Sequence, residues 1–160
     1  MGLLGALQKR LTGETDIGIY IADVDKAYDI LFTFPIIPET FKLDSPFGSA
    51  TVQTNSGDLK LIKTRGLKSV SWSSFFPDKI YDFIKFEALV AEYNCWDYIK
   101  TLEKMRDARK PMRLIIKGVS VDINILATLD SFTYGADSPG DAPYSLKFGQ
   151  FRKIISGELF

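Results

Sequence analysis

The 160-residue chain contains no histidine and a single cysteine, Cys95. Without an imidazole the chain lacks the commonest general base and the commonest metal ligand, which excludes a serine–histidine triad. One cysteine excludes an internal disulfide framework. The sequence also has no run of about 18 apolar residues, which excludes a transmembrane helix. Any metal site would therefore consist of carboxylates alone.

Net charge is also missing, because 20 Lys and Arg side chains balance 20 Asp and Glu side chains. This balance argues against a free-standing nucleic-acid binder, which normally carries a basic excess. It favours a subunit of an assembly, since charge contributes little to the solubility of the isolated chain. Phosphate-binding glycine loops and G-x-S-x-G nucleophile elbows are absent as well. The sequence therefore predicts no enzymatic activity, no cofactor and no metal.

The chain has the size of one domain, and its hydrophobic content of 46% is sufficient for a buried core. We expect residues 1–14 to form an N-terminal arm or short helix and residues 15–160 to form a single β-rich domain. Two interpretations of the first segment stay open: a short terminal helix or frayed arm, or an arm that docks on a neighbouring subunit. Its apolar residues recur at helical spacing: Leu3, Leu4, Leu7 and Leu11.

Alternating apolar and polar residues between turn-forming residues predict most of the chain to be strand. Asn55, Ser56, Gly57 and Asp58 form the strongest turn signal, and residues 45–48 are expected to form another. Pro35 and Pro38 are expected in a stiff edge segment because proline does not fit a central strand. Residues 78–91 predict a loop with a possible short helix. The expected strands are residues 17–22, 28–34, 40–43, 50–54, 59–64, 67–73, 112–117, 121–134 and 144–148.

One amphipathic helix is predicted between residues 94 and 110. Asn94 is a suitable N-cap, and Asp97 follows three residues later near the positive end of the helix dipole. Basic residues occupy the predicted last turn, and Pro111 ends the helix. Its apolar face is expected to lie on a sheet. That face comprises Cys95, Tyr98 or Ile99, Leu102 and Met105.

Residues 135–143 carry two glycines, two prolines and two aspartates between two predicted strands. A turn-rich loop of this length is expected to project into solvent or onto a partner and to contribute little to the core. In the strand before it, Thr128, Asp130, Phe132 and Tyr134 are predicted to share one face.

Three charged groups leave alternatives open. Asp23 and Asp25 fit a solvated turn better than a cation site, because a calcium loop needs more oxygen ligands and a glycine. Asp122 and Asp130 are the nearest candidates for a carboxylate pair of a hydrolase. A basic cluster fits a solvated face or, alternatively, a phosphate-facing or subunit-facing rim. The cluster comprises Lys60, Lys63, Arg65 and Lys68.

Four blocks of sequence resemble a family of phage tail and baseplate proteins found near the tape-measure protein in prophages of the Gram-positive PBSX type. Many members carry a peptidoglycan-binding-like LysM module at the C-terminus, and we expect this module to be absent from this chain. The blocks occur in the family's order and are spread across roughly residues 17–154. They are FPIIPETFKL (34–43), RGL with SVSWSSFFP (65–77), KMRDARKPMRLIIKG (104–118) and SFTYGADSPGDAPYSLKFGQFR (131–152).

The resemblance implies an α+β, mainly β fold: a tail-tube-like β-sandwich or barrel flanked by one α-helix. It implies a structural component of a contractile phage tail or tail-like particle, a hub adaptor at the junction of tube and baseplate. The implied location is the virion, after assembly in the bacterial cytoplasm. The implied partners are the tube protein, the hub, the tape-measure protein and further copies of this chain in a ring. Neither sequence-specific nucleic-acid binding nor membrane binding is expected.

Three contact surfaces are predicted for such an assembly: the leucine arm, the segment after the second strand, and the glycine- and proline-rich loop. Two other functions stay open, namely a tail assembly chaperone or soluble binding module, and a cell-wall hydrolase accessory. The predicted contact residues are Leu3, Leu4, Leu7, Leu11, Phe34, Pro35, Ile36, Pro38, Ala136, Asp137, Ser138, Pro139, Gly140 and Asp141.

Overall fold

The computed structural model describes residues 17–26, 29–79, 94–155 and 158–159. The strands before the helix are β1 (Gly18–Ala22), β2 (Ile30–Thr33), β3 (Phe41–Asp44), β4 (Phe47–Thr54), β5 (Gly57–Arg65) and β6 (Ser69–Phe76). After helix α1 (Cys95–Asp107) come β7 (Met112–Lys117), β8 (Asp122–Tyr134), β9 (Ala142–Gln150), β10 (Ile154–Ile155) and β11 (Glu158–Leu159). Most of the predicted segment 78–91 and all of the leucine arm lie outside the described residues.

Seven of the strands form one antiparallel sheet in the order β2-β1-β7-β8-β9-β6-β3. Strands β4 and β5 form a separate hairpin, and β10 pairs with β11. The predicted α+β, mainly β fold with a flanking helix is confirmed.

The seven-stranded sheet curls until its two ends meet. Phe32 in β2 and Phe76 in β6 have ring centroids 6.4 Å apart, although five strand spacings, roughly 24 Å in a flat sheet, separate their strands. Phe34, just after β2, lies 5.2 Å from the ring of Trp72 in β6. Strands β2 and β3 do not pair within the described residues. Of the two expected forms, β-sandwich or barrel, the described residues show sandwich-like sheets, and the barrel is not closed.

The core fills the inside of this curl. Alternate residues of the central strands are buried, as the period of two requires, and in β9 they are the predicted Tyr144, Leu146 and Phe148. The indole Nε1 of Trp72 donates a hydrogen bond to the Tyr144 hydroxyl at 3.1 Å. Burial raises the pKa of Tyr144, so its hydroxyl stays protonated inside the apolar core.

Helix α1 begins where the sequence predicts. The Asn94 side chain accepts hydrogen bonds from the backbone N–H groups of Trp96 and Asp97, and Asp97 accepts one from the Asn94 N–H. The apolar face of α1 is buried against the sheet, with Met105 at its margin. The helix ends at Asp107, earlier than predicted, because Arg109 adopts a left-handed conformation with φ 54°.

Strands β4 and β8 differ from the sequence prediction in ways that change which residues pair or share a face. Strand β4 begins at Phe47, inside the predicted turn, because its pairing with β5 continues to Arg65. In β8 a bulge between Leu129 and Ser131 shifts the alternation. Phe132 therefore packs on the core together with Leu129, while Asp130 is exposed, so the predicted common face of residues 128, 130, 132 and 134 is wrong.

Phe34 provides a test of the packing that closes the curl. The side chain is 0% exposed, so Phe34→Ala should lower the free energy of unfolding by about 3–5 kcal/mol. Phe47 is 69% exposed, so the matched Phe47→Ala variant should stay within about 0.5 kcal/mol of the wild type. Chemical denaturation followed by tryptophan fluorescence measures both. Equal losses for the two variants would contradict the proposed role of Phe34.

Candidate interaction surface

The β4–β5 hairpin projects from the sheet between β3 and β6. Every residue of β5 is exposed, and β4 is exposed except for the half-buried Gly48 and Ala50. Strands of eight and nine residues make an arm roughly 27 Å long at about 3.3 Å per residue. Because nearly all of its residues are exposed, the arm presents both of its faces to the surroundings.

One side of this arm is apolar, and we call it the hairpin face. Cross-strand pairing places Ala50 opposite Leu61 and Val52 opposite Leu59, so the four side chains point to the same side. Val52, Leu59 and Leu61 are 43%, 57% and 50% exposed. The opposite side carries the polar pairs Thr51 with Lys60 and Gln53 with Asp58. It also carries two separate exposed apolar side chains, Ile62 and, near the base, Phe47.

The hairpin is held in shape at its turn and at its base. At the turn, the Thr54 hydroxyl donates to the Gly57 carbonyl at 2.6 Å, and Gly57 has φ 120°, which glycine adopts at no steric cost. At the base, the Gly66 N–H donates to the Pro46 carbonyl at 2.8 Å. The guanidinium of Arg152 donates to the carbonyls of Arg65 and Gly66, both at 3.0 Å. These bonds fix the arm to the sheet without covering its apolar side.

The predicted loop of residues 135–143 is exposed over most of its length. Ala136, Asp137, Ser138, Pro139 and Gly140 are all accessible. Beside the loop, the rings of Trp96 and Tyr134 meet edge to face at 5.9 Å and are both partly exposed. The Tyr134 hydroxyl donates to the Glu103 carboxylate on α1. This patch is available for contact, and its role in assembly stays a prediction.

The last residue of the predicted contact loop has a structural role instead. Asp141 is 4% exposed, and its carboxylate accepts a hydrogen bond from the Asp78 N–H at 2.9 Å. The neighbouring Gly140 carbonyl accepts from the Cys95 thiol at 3.5 Å. The end of the loop is therefore tied to the start of α1, and the expectation that the whole loop contributes little to the core is wrong at this point.

The other predicted contact residues fall in two places. Phe34, Pro35, Ile36 and Pro38 are buried inside the curled sheet, so core packing accounts for their apolar character, and we do not include them in the interaction surface. Leu3, Leu4, Leu7 and Leu11 lie outside the described residues.

The candidate groups for chemistry are far apart or inert. Asp122 and Asp130 lie eight residues apart in the same strand, roughly 26 Å, whereas the carboxylates of glycosidases lie about 5–9.5 Å apart. These two residues therefore do not form such a pair. The pKa of the Cys95 thiol is raised, mainly by burial and to a smaller extent by the nearby Asp78 carboxylate. A thiol with a raised pKa is a poor nucleophile.

The described ranges contain no group of side chains suited to a metal ion and no helix suited to a membrane. There the acidic and cysteine side chains do not gather in groups of three that would hold a metal ion. Helix α1 has 13 residues, and no helix in the described parts of the chain combines the length and apolarity of a membrane span.

Sequence reasoning missed the hairpin face. Its alternation is visible in Leu59, Lys60 and Leu61, and the turn at Asn55 and Ser56 is visible too. Pairing of the two strands across that turn places Val52 beside Leu59.

Asp141 offers a test of the loop anchor. Asp141→Ala leaves the Asp78 N–H without its acceptor and should cost about 1–3 kcal/mol of folding free energy. Asp141→Asn keeps an acceptor oxygen and should recover most of this loss. The exposed Asp137→Ala variant in the same loop should change stability by less than about 0.5 kcal/mol. Thermal or urea denaturation measures all three, and a neutral Asp141→Ala variant would contradict the assignment.

The chain was also compared with known proteins. No protein-family model matches it. A protein of Bacillus subtilis (strain 168) named Uncharacterized protein YqbP is 26% identical over 119 residues. The alignment covers 74% of this chain and 53% of the relative, so the chain spans about half the length of the curated relative it matches. The chain is thus similar to a Bacillus protein whose name states no activity.

Proposed function

We propose that this chain is a structural subunit of a contractile phage tail or tail-like particle, a hub adaptor that forms a ring at the junction of tube and baseplate. The observation that carries the proposal is the exposed hairpin face on an arm that projects from the domain. The four sequence blocks that resemble tail and baseplate proteins are the reason for proposing a tail or tail-like particle as the assembly.

The hairpin face is the kind of surface that proteins keep for a partner. Isolated two-stranded hairpins are marginally stable in water, and apolar, strand-rich surfaces promote aggregation unless they are covered. Here Val52, Leu59 and Leu61 lie together on one side. A contiguous exposed apolar patch with polar surroundings is typical of a protein–protein interface. The face therefore has a physical reason to be buried in an assembly.

The fold also supports assembly through sheet edges. Within the described residues, β2 and β3 are the two ends of the seven-stranded sheet and each pairs on one side only. Ring formation removes open strand edges and apolar patches by pairing each copy with the next. Threefold or sixfold symmetry is the form that we propose, with the tube protein, the hub and the tape-measure protein as further partners in the virion.

An assembly chaperone or soluble binding module is the second candidate, because an exposed hairpin face also suits a transient partner. The two candidate functions differ in whether the chain is present in the mature particle. A structural subunit stays in the mature particle in several copies, while a chaperone leaves before maturation. Quantitative mass spectrometry of purified particles separates them, and absence of the chain from the particles would rule out the structural proposal.

Incorporation into particles should depend on the hairpin face. Leu61→Asp places a charge at the centre of this face and should lower the copy number per particle about tenfold or more, because an unpaired buried charge costs more than about 1.4 kcal/mol. Ile62→Asp makes the same change at the next residue, which is 82% exposed on the other side, and should incorporate normally. Equal incorporation of the two variants would contradict the role of the hairpin face.

A further inference from the structure

A second exposed surface lies at the turn between β1 and β2, and we call it the acceptor end. Ile30 and Leu31 are 44% and 50% exposed at the start of β2. The preceding turn carries the carboxylates of Asp23, Asp25 and Asp29. Two cations lie against them: Lys26 in the turn, and Arg113, whose guanidinium donates to the Val24 carbonyl at 3.3 Å. The acceptor end therefore combines exposed aliphatic side chains with a local excess of negative charge.

The hairpin carries the opposite charge. Its cations are Lys60, Lys63 and Arg65, against the single carboxylate of Asp58. A Cβ on Gly48 would lie 3.1 Å from the Cβ of Lys63, which places Lys63 on the side of the hairpin face. The side chains of Lys60 and Arg65 leave the backbone on the side opposite to the hairpin face. Long basic side chains, however, reach past the edge of a two-stranded ribbon. The apolar hairpin face thus has positive charges around it.

These two surfaces lie at opposite ends of the domain. The hairpin joins β6 at Ser69, while Phe32 contacts Phe76 at the other end of β6, roughly 23 Å away along the strand. Phe34 contacts Trp72, so β2 runs towards the hairpin and its first residue, Ile30, lies beyond Phe76. The base of the hairpin and the acceptor end of the same chain therefore lie at opposite ends of β6.

We propose that the hairpin face of one copy docks onto the acceptor end of the next copy. The inference rests on the proposed function, since it names the partner of the hairpin face within the ring. Leu59 and Leu61 cover Ile30 and Leu31, and the cations around the hairpin face the aspartates of the turn. A contact between two different surfaces of the same chain repeats from copy to copy and closes into a ring when the rotation allows it.

Charge complementarity favours a second copy over other partners. The chain as a whole is neutral, yet its two ends carry opposite local charge, which favours head-to-tail docking and disfavours hairpin-to-hairpin docking. A nucleic acid would match the cations but not the apolar face, which offers no aromatic ring for base stacking.

Mixing two complementary variants of the full chain tests the proposal. The first variant, Leu59→Asp with Leu61→Asp, lacks a competent hairpin face. The second, Asp25→Lys with Asp29→Lys, lacks a competent acceptor end but keeps Asp23, whose carboxylate accepts hydrogen bonds from the Asp25 and Lys26 N–H groups and shapes the turn. Analytical ultracentrifugation at about 0.1 mM chain suits a contact of micromolar affinity.

The expected results are specific. The wild type forms higher oligomers, and each variant alone is monomeric. The equimolar mixture forms a dimer and stops there, because one functional hairpin meets one functional acceptor end and the outer surfaces are blocked. Controls with Ile62→Asp or Asp137→Lys keep the wild-type oligomers.

Other results would overturn the proposal. A wild type that stays monomeric, a mixture that stays monomeric, or self-association of the acceptor variant would each do so, the last because it indicates hairpin-to-hairpin contact. Circular dichroism checks that each variant is folded. If the aspartate pair unfolds the hairpin, Leu59→Ser with Leu61→Ser repeats the test with uncharged side chains.

The mixing result and the proposed function fail independently. If the chain is abundant in purified particles but the mixture does not dimerise, the hairpin has another partner and the structural role stands. If the mixture dimerises but particles contain no copies of the chain, head-to-tail docking stands and the role in the tail is wrong.

Discussion

Contacts between aromatic rings across the opening of the sheet are the interaction on which the rest of the structure depends. Phe34 packs on Trp72, Phe76 and Tyr144, and it joins the start of the seven-stranded sheet to its far side. Because the hydrogen-bond ladder does not close between β2 and β3 in the described chain, side-chain packing does the work that strand pairing does in a closed barrel. Buried rings of this size contribute much of the hydrophobic free energy of a small domain.

The aromatic packing that closes the sheet also determines where the hairpin and the β1–β2 turn lie. The short segment from Phe34 to Thr40 crosses the opening and leads directly into β3, and the hairpin leaves the sheet at the end of that strand. The base of the hairpin and the β1–β2 turn thereby lie at opposite ends of the seven-stranded sheet. An interaction surface on a long two-stranded arm needs such a base, because the arm alone has little to keep it ordered.

The sequence was sufficient to predict most of the strands and the helix, but not which of their side chains become buried or exposed. Alternation and capping residues predicted β1, β6, β7, β9 and the start of α1, since these depend on local period and local hydrogen bonds. The bulge in β8 was not visible, because it depends on the register with β9. Phe34 and Ile36 had the character of either core or interface residues, and only the curl of the sheet decides for the core. Leu59 and Leu61 are also apolar residues in a strand-forming stretch, but in the folded chain they are exposed.

The loop at residues 135–143 shows the same limit within a single segment. Its glycines and prolines predicted an exposed connection, and five of its predicted contact residues are exposed. Asp141 differs because it meets the backbone of Asp78 from a distant part of the chain, a contact that no local pattern reveals.

A density map of the assembled tail particle, with this chain located in it, tests the central claim most directly. The account predicts several copies in a ring, with Leu59 and Leu61 of each copy covered by Ile30 and Leu31 of the next. A ring in which the hairpin faces solvent, or a particle without this chain, would contradict it.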